Sequence, residues 1–279
     1  EGVENAIFTV SLSAKAQTKV TASLEVEGKP YSVTIPAGQD SATVSIKNSN
    51  SDDPYSDATK LTGKLTQVSG GNFEYLVISK DEVVLNINDT VDSTVVSINA
   101  DDIVEGAEDI IFTISLSNVP VTKTAMTVNV SGTSYEVTIP AGSTSTTLTV
   151  ANTNSEDYYK DASSITAKVS EFTGGLFEDV DLSNASETVY IADTINTTKM
   201  TLSAADIHEG DANIVYSVKL SNKAQTDVDV TLKAGGVEYP ATIEAGSSSV
   251  NISVPNTNAD DVYADASTLY GEITAFDGG

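Results

Sequence analysis

The amino-acid sequence predicts an all-β protein made of similar β-sandwich modules in tandem. The first observation behind this prediction is an internal repeat, because Glu1-Gly2, Glu105-Gly106 and Glu209-Gly210 recur at a spacing of 104 residues. The second is that apolar and polar residues alternate over short stretches, which is the pattern of half-buried strands. The third is that no stretch has the period of an amphipathic helix.

The repeat keeps its register along the whole chain, without insertions. The same spacing relates these sets: Pro36-Ala37-Gly38 and Pro140-Ala141-Gly142, with Glu244-Ala245-Gly246 third; Tyr55, Tyr159 and Tyr263; Gly70-Gly71, Gly174-Gly175 and Gly278-Gly279. A strict long period is typical of modular arrays. We therefore expect three modules, at residues 1–90, 91–194 and 195–279. We expect the second module to be complete, the first to lack the first strand and the third to lack the last strands.

The strands of the second module follow from its alternating apolar residues. In chain order they are marked by Val96 and Ile98; Ile110, Phe112, Ile114 and Leu116; Met126, Val128 and Val130; Tyr135, Val137 and Ile139; Leu148 and Val150; Ile165, Ala167 and Val169; Val189 and Ile191. About seven short strands in about 100 residues fit an immunoglobulin-like Greek-key sandwich. Gly174-Gly175 predicts a hairpin turn with positive φ. We expect the modules to form a linear, rod-like array.

The charge of the chain limits its partners. It has 40 acidic and 14 basic residues and a formal net charge of −26. Such a surface does not suit nucleic acid, whose phosphates need basic side chains, nor anionic lipid. No apolar run approaches the length of about 18 residues that suggests a membrane span, so no membrane insertion is expected. The absence of cysteine excludes disulfides and thiolate sites.

The acidic residues fall at one end of each module if every strand crosses the sandwich once. We call this end the acidic pole and the opposite end the head. In the second module the pole receives the acids Asp101, Asp102, Glu105, Glu156, Asp157, Asp161 and Asp193. The head loops instead offer lysines, namely Lys15 and Lys19 in the first module, Lys123 in the second and Lys223 in the third. The pole of one module is then expected to face the head of the next.

Crowded carboxylates repel one another unless a cation lies among them. Ca²⁺ accepts six to eight oxygen ligands in irregular geometry, Mg²⁺ demands a tight octahedron, and zinc prefers His or Cys. We therefore predict calcium at the poles. The alternative, which the residues leave open, is that these Asp and Asn side chains only tighten turns. The predicted ligands are Asp53, Asp57, Asp89, Asp92, Asp101, Asp102, Glu105, Asp157, Asp161, Asp193, Asp206, Glu209, Asp261 and Asp265.

Other residues favour simpler interpretations. Paired carboxylates occur in glycosidases, but here they recur in every module and at a joint, so no enzyme is expected. His208 stands where the preceding module has Val104, which makes a special role for it improbable. Tyr55, Tyr159 and Tyr263 are predicted to pack their loops onto the sandwich rather than to bind sugar.

Together these motifs resemble the immunoglobulin-like extender repeats of giant bacterial adhesins of the repeats-in-toxin class, which are exported by type I secretion. The resemblance rests on the spacing and on four segments: Asp260–Ser267, Gly70–Glu74, Asp89–Asp92 and Asp101–Gly106. It implies calcium-dependent folding and rigidification. The ligands it implies are Asp89, Asp102, Glu105, Asp157, Asp161, Asp193 and their equivalents. Asn196 and Ala205 replace Asp92 and Asp101 at the next joint. This replacement predicts fewer ions, or more weakly bound ions, at that joint.

The resemblance also implies a function and a location. We expect a monomeric spacer at the bacterial cell surface, outside the cell, that holds a ligand-binding tip away from the cell. Its partners would be calcium ions and the neighbouring modules of the same chain. The alternative is an adhesive module that itself binds sugar, ice or a host protein through its loops.

Overall fold

The computed structural model describes residues 1–279 as 21 β-strands without any helix. The chain divides into two compact units. One consists of Glu1–Asp101, Ile110–Val150 and Ile165–Val189, and the other of Asp102–Asp109, Ala151–Ser164 and Tyr190–Gly279. The first joint, between the first two repeats, therefore lies inside the first unit, and the second joint lies inside the second unit. None of the elements is a helix of the length and apolarity that a membrane crossing requires.

The first repeat forms two sheets. Its strands are β1 (Asn5–Ser11), β2 (Val20–Val26), β3 (Lys29–Ile35), β4 (Ser41–Lys47), β5 (Thr59–Gly70) and β6 (Glu82–Ile87). One sheet pairs β1 with β4, and the other has the order β3-β2-β5-β6. The chain thus changes sheet after β1, after β3 and after β4, as Greek-key sandwiches do.

The second repeat has nine strands. They are β7 (Ser93–Asn99), β8 (Ile103–Val104), β9 (Ile110–Leu116), β10 (Thr124–Val130), β11 (Thr133–Ile139), β12 (Ser145–Val150), β13 (Ser163–Gly174), β14 (Asp179–Asp181) and β15 (Ser186–Ala192). One sheet has the order β12-β9-β7-β14, and in the other β10 pairs antiparallel with both β11 and β13. At the acidic pole β15 pairs with β8, with Ile191 opposite Ile103.

The third repeat shows the same arrangement. Its strands are β16 (Met200–Ala204), β17 (Asn213–Leu220), β18 (Val228–Ala234), β19 (Val237–Ile243), β20 (Ser249–Pro255) and β21 (Gly271–Gly278). Two three-stranded sheets have the orders β16-β17-β20 and β19-β18-β21.

Alternating burial along each strand produces the cores. In β9, Ile110, Phe112, Ile114 and Leu116 are buried, whereas Ile111 and Thr113 are exposed. Burying one such apolar side chain contributes about 1.5–3 kcal/mol. Register-equivalent residues form the core of the first repeat around Phe8. The expected all-β fold of immunoglobulin-like sandwiches is confirmed.

Two short strands and one turn differ from the sequence-based expectation. The alternation does not reveal β8 or β14, because strands of two or three residues are too short to establish a period. Gly174 and Gly175 do have positive φ, at 85° and 87°. They do not form a tight hairpin, however, because the chain continues into β14, which pairs in parallel with β7.

Candidate metal centre

Three carboxylates meet at the first joint. Glu1 and Asp89 come from the first repeat and Glu178 from the second, and one ligand oxygen of each lies within 4.8 Å of the others. Asp89 lies just after the end of β6, and Glu178 lies between β13 and β14. The cluster is therefore built from both sides of the joint.

The oxygens of this cluster are only partly satisfied. Glu1 Oε1 accepts the backbone N–H of Asp53 at 3.3 Å, and Glu178 Oε2 accepts the backbone N–H of Asp92 at 2.7 Å. Glu1 Oε2, Asp89 Oδ1 and Glu178 Oε1 are buried and have no hydrogen-bond partner. A buried charged oxygen without a partner is costly, so these three atoms mark a place where a cation would be stabilising.

The protonation of Glu178 reflects the same crowding. The hydrogen bond from the Asp92 amide acts to lower the pKa of this carboxyl. Burial and the negative charges of Glu1 and Asp89 outweigh that bond, so the pKa is raised above its ordinary value. Like charges at close range favour the neutral form of a carboxyl group.

A second cluster lies at the acidic pole of the second repeat. Glu105, Asp157 and Asp161 bring ligand oxygens within 4.8 Å of one another. Glu105 is only 1% exposed. Its Oε1 accepts the backbone N–H and the hydroxyl of Thr194 at 3.0 and 2.8 Å, whereas its Oε2 is buried without a partner. This orphaned oxygen is the counterpart of Glu1 Oε2 in the repeat register.

The third pole repeats the arrangement on the surface. Glu209, Asp261 and Asp265 also lie within 4.8 Å of one another, and all three are exposed. They are the register equivalents of Glu105, Asp157 and Asp161.

Glycine explains why the Glu-Gly pair recurs. Gly106 has a φ of 66°, and a Cβ at this position would lie 2.6 Å from Cβ of Glu156. Its N–H donates to Asn154 O at 2.9 Å, which joins the Glu105 loop to the loop that carries Asp157. Only glycine allows this close approach. The same contact occurs at Gly210, whose N–H donates to Asn258 O at 3.0 Å.

The other predicted ligands lie outside the three clusters. Asp102 Oδ1 accepts the N–H of Tyr190 at 2.8 Å, and Asp193 Oδ1 accepts the N–H of Asp161 at 3.1 Å. Asp53 Oδ1 accepts the N–H of Tyr55 at 2.9 Å. The structure also does not group these four with a cluster: Asp57, Asp92, Asp101 and Asp206. Their assignment as ligands stays a prediction.

Two members of the first cluster are not named among the predicted ligands. Glu1 is covered only implicitly, as the register equivalent of Glu105 and Glu209. The sequence gives less indication of Glu178, because this residue lies in a head loop. The prediction took its ligands from the acidic poles and did not include acids of the following head.

The donor chemistry of all three clusters fits calcium. Every side chain supplies carboxylate oxygen, and no nitrogen or sulfur ligand is present in them. Calcium–oxygen distances of about 2.3–2.6 Å allow ligand oxygens up to about 5 Å apart. The residues present therefore fit Ca²⁺, which would need further oxygen ligands, such as backbone carbonyls or water, to complete its coordination.

The fold and these clusters define a repeat protein of tandem β-sandwiches whose acidic groups meet at the joints. The profile of the LapA domain family matches the chain three times, at residues 1–90, 92–194 and 196–279. The chain belongs to this family of large adhesins, and the resemblance inferred from its motifs is confirmed. It is therefore a structural or adhesive module of a large adhesin. This membership suggests a structural protein, and the large adhesins related to it are proteins of the cell surface or the extracellular space.

Several solved structures are similar to the chain at low identity. A tetra-tandem repeat from the extending region of a large adhesion protein is 15% identical, with 99% of this chain and 68% of that chain covered and a TM-score of 0.37. A structure from a 1.5-MDa bacterial ice-binding adhesin is 14% identical, with 90% of this chain and 80% of that chain covered and a TM-score of 0.31. A two-domain protein of unknown function from Bacteroides fragilis is 10% identical over 58% and 84%, with a TM-score of 0.27. The family assignment does not depend on these low scores. No curated protein sequence matches the chain.

Proposed function

We propose that the chain is a calcium-rigidified spacer of a secreted, cell-surface bacterial adhesin, without catalytic activity. The observation that carries the proposal is the cluster of Glu1, Asp89 and Glu178, in which each residue has a buried oxygen without a hydrogen-bond partner. Because Glu178 comes from the following repeat, a cation held there would connect two modules.

The carboxylates themselves provide the calcium dependence. A bound Ca²⁺ would offset their charge and join oxygen ligands of two modules. Without a cation the carboxylates repel one another, which loosens the joint in a low-calcium cytoplasm and suits export through a narrow channel. Extracellular calcium sites of the weak class have dissociation constants of about 10⁻⁴–10⁻³ M, so millimolar calcium outside the cell is enough to fill them.

The experiment is small-angle X-ray scattering of the 279-residue chain in calcium and in excess chelator, with calorimetric calcium titration alongside. We expect calcium to stiffen the particle and raise its melting temperature. Glu178→Gln should weaken the response by removing one charged ligand. Glu74→Gln is the matched control, because Glu74 is the register equivalent in the first repeat and is exposed and outside any cluster. Unchanged scattering and melting on chelation would overturn the proposal.

A further inference from the structure

The first joint contains a second set of contacts that does not use the carboxylate oxygens of the cluster, although the backbone of Glu178 takes part in it. Pro54–Ser56 of the first repeat lies antiparallel to Leu176–Glu178 of the second. The Ser56 N–H donates to Leu176 O at 2.9 Å, and the Glu178 N–H donates to Pro54 O at 3.1 Å. Tyr55 and Phe177 form the bridge between these two hydrogen bonds. The joint thus has an isolated β-bridge of its own.

The side chain of Tyr55 adds two contacts to this bridge. Its ring stacks on Phe177, with the centroids 5.9 Å apart and the planes at 23°. Its hydroxyl donates to Val119 O, in the head loop of the second repeat, at 2.7 Å. One side chain therefore makes an apolar and a polar contact with the following module. The sequence predicts that this tyrosine packs its loop onto the sandwich, and in the structure its ring and hydroxyl contact the sandwich of the following repeat.

The loop presents the tyrosine in the same way in every repeat. The backbone N–H of Tyr55, Tyr159 and Tyr263 donates to Oδ1 of the aspartate two residues earlier, at 2.9, 2.6 and 2.7 Å. Such Asx turns fix a loop through its own side chain. The tyrosine is thus organised by its loop before any contact with another module is made.

The second joint repeats the polar half of the contact. The Tyr159 hydroxyl donates to Lys223 O at 2.9 Å, and the two residues are 64 positions apart, as are Tyr55 and Val119. Tyr55 and Tyr159 are half-buried, whereas Tyr263, whose hydroxyl has no such partner, is 72% exposed. The difference in exposure indicates that contact with a head is what covers this side chain.

We propose that the tyrosine loop of each acidic pole is a docking surface for the head of a following module and works as a latch independently of the cation. The partner it fits is a head of the same kind, with a free carbonyl at the position of Val119 and a Gly-Gly-x-Phe turn. Tyr263 presents this surface to a further head of that type. The latch belongs to the joint of the proposed function, but it needs no bound ion.

Amide hydrogen exchange of the 279-residue chain, followed by NMR in excess chelator, tests the latch. The reporters are the Ser56 and Glu178 amides, because both donate across the joint. We expect both to stay protected without calcium. Tyr55→Phe should lower their protection about three- to ten-fold through the loss of one hydrogen bond, and Tyr55→Ala by more than about ten-fold, since the stack is lost as well.

The control variant is Tyr75→Ala, which removes an 84% exposed tyrosine of the same repeat and should leave the reporters unchanged. Amides within β5 report whether each variant is folded. Unprotected reporters in wild-type chelated protein, or equal protection in wild type and Tyr55→Ala, would overturn the latch. Neither result bears on calcium binding, so failure of the latch and failure of the calcium proposal are distinguishable.

Discussion

Glu105 illustrates how one residue can couple stability to an ion. Its Oε1 is held by Thr194, while its Oε2 is buried without a partner. A buried charge that is only half satisfied destabilises the fold. The sequence identified Glu105 from its place in a repeated acidic loop, but it could not show that one oxygen is bonded and the other is not, since that depends on residues 89 positions apart.

Replacing Glu105 by glutamine should have opposite effects in the two conditions. In chelator, Glu105→Gln should raise the melting temperature by several degrees, because a stability change of about 1 kcal/mol shifts it by about 4–8 °C in a domain of about 60–100 residues, which is close to the size of one repeat. In calcium, the increase in melting temperature that the ion produces should shrink. Differential scanning calorimetry in both buffers measures both shifts.

Glu108→Gln is the matched control for this substitution. Glu108 is exposed and lies three residues further along the same loop, so its melting temperatures should match those of the wild type. A Glu105→Gln protein that loses stability equally in both buffers would contradict the explanation.

At the scale of elements, glycines determine where the clusters lie. Gly106 and Gly210 let the loop that carries the glutamate approach the loop that carries the two aspartates. The alternation of apolar residues revealed the main strands of every repeat, because those strands are long enough to show a period of two. It could not reveal β8, a two-residue strand that pairs with the end of β15. It also placed Asp53 and Asp57 at the pole but could not show that Glu1 turns towards Asp89 and Glu178.

Adding one methyl group at Gly106 should separate two acidic loops. Gly106→Ala forces a residue with a side chain into positive φ and places its Cβ against Glu156. We expect a loss of about 1–3 kcal/mol in the free energy of unfolding. We also expect weaker calcium binding, because Glu105 moves away from Asp157. Urea denaturation and calorimetric calcium titration measure the two effects.

Gly132→Ala separates backbone strain from the clash. Gly132 also has a positive φ, of 93°, but nothing lies within 4 Å of a Cβ built there. This variant should lose stability while keeping wild-type calcium affinity. If Gly106→Ala also keeps that affinity, the contact between the two loops does not position the ligands.

The second joint carries less negative charge than the first at one position, because Asn196 stands where the first joint has Asp92. The side-chain amide of Asn196 donates to the Glu156 carboxylate and to Asp157 O. Asn196→Asp removes both donations and adds a negative charge, so the chelated protein should melt lower and respond more strongly to calcium. Melting curves in chelator and in calcium check this result. Asn251→Asp, at an exposed position of β20 and outside every cluster, is the control. A lower response to calcium would contradict the argument.

At the scale of the whole molecule, the formal charge of −26 sets how stability depends on salt. A strongly charged chain repels itself in the compact state, and salt screens that repulsion. In chelator, raising NaCl from about 0.01 M to about 1 M shortens the screening length from about 30 Å to about 3 Å. The melting temperature should therefore rise. In calcium the rise in melting temperature should be smaller, because the bound ions already offset the negative charge of the clusters.

The contact of Tyr55 with the following head has a consequence for assembly. Two different surfaces meet in it, so the contact is heterologous rather than self-complementary. The second repeat carries one copy of each surface, and occupying one leaves the other free. A heterologous contact of this kind does not limit the number of modules that can be joined. The number of modules is then set by the gene and not by the geometry of the joint, so the chain can be lengthened or shortened by whole repeats without a new interface.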